Sequence, residues 1–223
     1  MWYTGPIDPD DDMRVLALAG LLRTDPEKVV PMLGQIAFES DNQGSAMRAL
    51  FMLAQSSSPK ARETVVRVAR TGPEPLRAAA VRDLARFGGP EVSRDLLSVY
   101  GTANVPVKVQ IVKSLGERSE QSALLTIVNT EADGEIRSRA IVSLGQAGGA
   151  AQLARLYASA APKIKRSIID GLFFSRAESE LIRIAESERG REGAVLRRHA
   201  LASLRLLGTP KAKEYLQKVR ETR

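Results

Sequence analysis

Between residues 134 and 160 the apolar positions keep the spacing of a helix, break, and resume. Ile136, Ala140 and Leu144 stand four apart on one face of a first helix. Gly145 and the pair Gly148 and Gly149 interrupt that face, and Leu153 and Leu156 mark the buried side of a second helix. The stretch reads as a helical hairpin. Neither of its helices buries an apolar stripe alone, so such a unit needs neighbours of its own kind.

The rest of the chain supplies them. The leucine recurs as Leu21, Leu53, Leu84, Leu115, Leu144, Leu172 and Leu204, at intervals of 32, 31, 31, 29, 28 and 32 residues, which gives seven units. Four residues earlier stands Ala17, Ala49, Ala80, Ile111, Ala140, Ile168 or Ala200, a slim side chain that lets neighbouring helices approach. Seven residues before the leucine the chain is basic in six units, with Arg14, Arg77, Lys108, Arg137, Lys165 and Arg197; Ala46 takes that place in the second. Each second helix repeats a three-residue step: Leu33 and Ile36, Val65 and Val68, Leu96 and Val99, Leu124 and Ile127, Leu153 and Leu156, Leu181 and Ile184, Leu216 and Val219. These pairs are expected to face inward. Pro59, Pro90 and Pro210 fall where second helices begin and Pro75, Pro106 and Pro162 where first helices begin, positions at which the missing N–H costs nothing. Gly88, Gly116, Gly145 and Gly208 stand where first helices are expected to stop. An aromatic content of 4% and the lack of alternating β-branched runs leave no room for a sheet, so the pattern predicts an all-α chain.

A unit that runs apolar, Arg, Ala, Leu-Gly, turn and Leu-rich helix resembles HEAT repeats, in particular the short HEAT-like type first described in phycobilisome lyases. The resemblance covers residues 13 to 223, with units near 13–40, 41–72, 73–103, 104–133, 134–160, 161–188 and 189–223. It implies a right-handed α-α superhelix, a HEAT/armadillo-type solenoid with first helices on the convex face and second helices on the concave one. The chain departs from the pattern at Ala46, at Phe173 and Phe174 after Leu172, and at Pro31, which interrupts the second helix of the first unit. In that unit Met13, Val15, Leu16, Leu18, Leu21 and Leu22 spread apolar character around most of the helix, as in a helix covered on several sides. Two covers are open: the arm of residues 1–12, with Trp2, Tyr3 and Ile7, or a preceding repeat of a longer array. The last helix, from Pro210, is far more polar, as expected of a cap on the other end.

Composition narrows the function classes. With 223 residues, 43% hydrophobic and 26% charged, the chain can bury a substantial core. It has no run of 18 apolar residues and its start is acidic, so the reading is of neither a membrane span nor a signal peptide. The absence of cysteine removes disulfides, thiolate ligands and thiol nucleophiles, and suits the cytoplasm, with a disulfide-free exported protein as the alternative. The net charge of +7 lies in residues 161–223, where 15 Lys or Arg face 8 Asp or Glu, while the remaining 18 and 18 cancel.

Candidate chemistry is sparse. The single His199 makes no zinc site without a second His or cysteines. HEAT-like enzymes such as deoxyhypusine hydroxylase hold iron through paired His-Glu motifs, and no His-Glu dipeptide occurs here. No catalytic, cofactor-binding or metal-binding residue is expected, and the chain is read as a non-enzyme. The basic ladder of the first helices is read as a joint, each residue pairing with acids or free carbonyls of the adjoining turn near Asp133 or Glu74.

A second ladder bears on function. Between the inward pairs of the second helices lie Gln35, Arg67, Ser98, Thr126, Arg155, Arg183 and Lys218, pointing away from the core. On the concave face Arg67, Arg155, Arg183 and Lys218 would supply charge, and Tyr100 and Tyr157 flat contact area, for an acidic or mixed peptide segment of a protein partner. The alternatives are nucleic-acid binding through the basic last third and, from the resemblance alone, a chromophore lyase-like enzyme.

Overall fold

The computed structural model describes residues 9–221. Among them are fourteen helices and no strand. They run in order α1 (Pro9–Leu21), α2 (Pro26–Glu39), α3 (Gln43–Gln55), α4 (Pro59–Thr71), α5 (Glu74–Leu84), α6 (Glu91–Tyr100), α7 (Val105–Glu117), α8 (Gln121–Thr130), α9 (Gly134–Gln146), α10 (Ala150–Tyr157), α11 (Pro162–Phe174), α12 (Glu178–Ser187), α13 (Gly190–Leu207) and α14 (Pro210–Glu221). Odd and even helices alternate as first and second members of hairpins. The chain forms two compact units, residues 1–114 and 115–223.

Local chemistry sets the helix starts. The Asn42 side chain accepts from Gly44 N and Ser45 N at 2.9 and 3.2 Å, and Asp133 accepts from Glu135 N and Ile136 N at 2.9 and 3.0 Å, so each satisfies amides that no preceding turn can serve. Pro26, Pro59 and Pro162 open α2, α4 and α11, where no helical N–H is lost. Pro31 does not end α2; the helix continues through it to Glu39 with the proline exposed.

In the first unit α1, α3 and α5 lie side by side as one layer, and α2, α4 and α6 as the other. In the second unit α9, α11 and α13 form the corresponding first-helix layer, and α12 packs on α14. Stacked hairpins of this kind, each serving as wall for the next, are the arrangement of an all-α solenoid. The core lies between the layers, where Leu53, Leu84, Leu115, Leu144, Leu172 and Leu204 are buried, as are Leu33, Val65, Val68, Leu96, Val99, Leu124, Ile127, Leu153, Leu181 and Ile184. In the hairpin of α13 and α14, Leu216 and Val219 are only half-buried.

Two expectations change. In α1 and the turn after it the buried set is Val15, Leu18 and Leu22, and Leu21 is 54% exposed, so the repeat register of the first unit shifts by one residue to Leu22. Met13 and Leu16 are also exposed; the arm with Trp2, Tyr3 and Ile7 lies outside the described residues. Gly116 and Gly145 do not stop their helices, which run on to Glu117 and Gln146. Gly145 instead marks a close approach, because a Cβ there would collide with the Gly171 carbonyl of α11. Just beyond the ends of α7, α9, α11 and α13, four residues after the repeat leucine, Ser119, Gly148, Arg176 and Gly208 all take positive φ, of 57°, 84°, 56° and 62°. At three of these the amide of the next residue returns to the leucine carbonyl, from Glu120 to Leu115, from Gly149 to Leu144 and from Ala177 to Leu172, at 2.9, 2.8 and 2.9 Å.

Candidate interaction surface

The outward ladder of the second helices is exposed at every rung: Gln35, Arg67, Ser98, Thr126, Arg155, Arg183 and Lys218. Its cations differ in their engagement. Arg67 lies over the Phe38 ring at 4.8 Å, Arg183 pairs with Glu180 one turn earlier, and Lys218 Nζ reaches Glu214 at 2.7 Å. Arg155 has no partner among the described residues. Around the ladder the first unit is stitched between its second helices, by Lys60 with Glu27, by Arg62 with Glu91 and Asp95, and by Arg70 donating to Ser98 Oγ at 2.8 Å.

Tyr100 and Tyr157 are a correction. Each is only 8% exposed, and neither ring offers contact area to a partner. Both stand at the last position of a second helix, where the following first helix lays a lysine across the ring: Lys108 Nζ is 4.9 Å from the Tyr100 ring centre and Lys165 Nζ 4.8 Å from that of Tyr157. The second tyrosine belongs to a closed cluster. Tyr157 donates to Glu188 Oε1 at 2.7 Å, and Lys165 Nζ meets the same oxygen at 2.9 Å. Burial, then the bond to Glu188, push the Tyr157 hydroxyl well above its ordinary range. Burial works to raise Glu188 as well, but the bonds from Lys165 and Tyr157 outweigh it and hold the carboxyl below its usual value.

The first-helix basic ladder also divides. Arg77 Nε donates to the carbonyl of Gly72 at 2.9 Å, the joint to the preceding turn that the sequence suggests. Lys165 closes the cluster just described. Arg137 Nε, by contrast, is buried with no acceptor, because Asp133 spends its carboxylate on the α9 amides. Glu74 accepts from Asn104 at 3.0 Å. The Arg14 side chain lies outside the described residues. His199 Nε2 is 2.7 Å from Asp170 Oδ1 and ties α13 to α11. Among the described residues no three metal-ligating side chains converge, and no helix is long and apolar enough to cross a membrane.

One feature was not legible from repeat spacing. A cleft of about 360 Å³ opens in the second unit between the end of α12, the turn into α13, and α14. Glu186, Arg189, Arg197 and Tyr215 contribute its polar wall, together with Glu188, whose charge is met by Lys165. Arg197 Nε has no acceptor there. The Tyr215 hydroxyl is raised by burial and by Glu186, with Arg197 and Arg189 opposing. Helical spacing joins the cleft to the ladder, since Glu186 is one turn beyond Arg183 on α12 and Tyr215 one turn before Lys218 on α14. The surface of α12 and α14 therefore combines two ladder cations, one half-buried aromatic and a concavity.

Comparison with known proteins bears on the fold. Residues 30–108 match the family model of HEAT repeats, a stretch that begins in α2 and ends in α7. The helix pairs on both sides of that stretch make the whole set consistent with a HEAT-repeat protein. No curated protein matches the chain.

Proposed function

Taking the chain as a HEAT-repeat protein, a class of generally non-catalytic scaffolds for protein interactions, we propose that it holds an acidic peptide segment of a partner protein on its second helices. The observation that carries this reading is the exposed ladder ending beside a cleft. Arg155 has no partner among the described residues, and Arg183 pairs with Glu180 and Lys218 with Glu214 on their own helices, exposed pairs that an incoming acid replaces at little cost. Tyr215 supplies the aromatic anchor that Tyr100 and Tyr157 do not.

Selection of a displayed random-peptide library on the intact chain tests the proposal. Peptides rich in Asp and Glu should emerge, and Arg155→Glu with Arg183→Glu should weaken them about tenfold, about 1.4 kcal/mol. Enrichment of neutral or basic peptides, or unchanged affinity in the double variant, refutes it.

A further inference from the structure

The first-helix layer of the second unit carries a different surface. Arg139 on α9, Lys163 and Arg166 on α11, and Arg191, Arg198 and Arg205 on α13 are all exposed, and none of the six has an ion pair, hydrogen bond or ring contact among the described residues. This is unlike the chain's other cations, many of which are tied to a carboxylate. On α13 the arginines are seven residues apart, so they repeat on one face at about 10 Å. The exposed Ala194 and Ala202 between them leave the rail unobstructed. The neighbouring helices α11 and α9 bring their cations alongside at the usual helix spacing of about 8–10 Å. Three carboxylates accompany them, Glu135, Glu192 and Asp170, and Asp170 is engaged by His199.

We infer that this layer is a nucleic-acid surface that grips the phosphate backbone. A lattice of fixed positive charges suits a polymer with phosphates at regular intervals, and five of the six groups are guanidinium, the donor whose fork matches phosphate oxygens. An anionic bilayer would need an apolar belt among the cations. The large exposed apolar groups here, Phe174 at 48% and Leu206 at 75%, instead stand in the last turns of α11 and α13. Contacts of this kind read no base edges, so the binding is independent of sequence. The surface shares no cation with the second-helix ladder, and although Ala194 also lines the cleft, the variants that test the two proposals change different residues.

Fluorescence anisotropy of the intact chain with a labelled duplex DNA of arbitrary sequence, over a salt series, is the test. Each phosphate neutralised contributes about −0.9 to the slope of log K against log salt, so a footprint of about four phosphates predicts a slope near −4. Arg198→Glu with Arg205→Glu should weaken binding at least tenfold, and so should Arg139→Glu with Lys163→Glu, which keeps the test decisive if the first variant folds poorly. A control of equal charge change in the first unit, Lys28→Glu with Arg94→Glu, should bind within about twofold of the parent. No binding at low salt, a slope near zero, a control that loses as much as the variants, or capture by phosphatidylserine vesicles in place of DNA overturns the inference.

Discussion

Ser119 and Arg176 hold a left-handed backbone that their Cβ atoms disfavour, at the same repeat position where Gly148 and Gly208 meet no such cost. Ser119→Gly and Arg176→Gly are each expected to stabilise the chain by about 0.5–1 kcal/mol, read as a rise in urea midpoint at unchanged slope. Glu188 carries a pH signature. Its folded carboxyl lies below the ordinary 4.5, so its contribution is present above that value and is lost as pH falls through the lower folded value. The stability gap between the parent and Glu188→Gln should therefore be widest near neutrality and close in acid; a constant gap from neutral to acid pH would show that the carboxylate charge contributes nothing. Sequence spacing reaches this scale unevenly. It locates Arg77 at a joint, but it reads Tyr157 as outward, because periodicity within a helix carries no information on what the next helix lays across its final turn.

The packing of α9 on α11 turns on glycines. A methyl group on residue 145 would meet the Gly171 carbonyl, and one on residue 171 would stand 2.9 Å from the Ile141 carbonyl, so both contacts are with backbone that cannot swing aside. Gly145→Ala is expected to cost about 1–3 kcal/mol, the range for overpacking, despite its gain in helix propensity of about 1 kcal/mol. Chemical denaturation measures this directly, and an unchanged or raised midpoint would mean that the helices part freely. From sequence the same glycine reads as a stop, since a terminator and a close-approach residue look alike until the neighbouring helix is in place. The hairpins themselves were legible, because thirty-residue spacing of apolar positions fixes which faces are buried. The register of α1 was not: Leu21 and Leu22 are chemically equal, and only the neighbours of α1 choose between them.

At the scale of the chain, charge and packing are distributed independently. The +7 sits in the last third, and there the first-helix rail of α11 and α13 stands unpaired while the second helices mix both signs. Composition reveals the excess but not its face, because exposed arginines at different helix phases look alike in a sum. The terminal hairpin has a consequence of its own. Among the buried residues α14 contributes only Ala212, and the helix is tied to α12 by Thr209 with Glu178 and by Lys211 with Ser179. A helix that buries so little apolar surface opens before the helices it packs on. Tyr215, which walls the cleft, rides on that helix. Opening of α14 and loss of the cleft are thus a single equilibrium, and a molecule seated against Tyr215 acts as a latch on that helix.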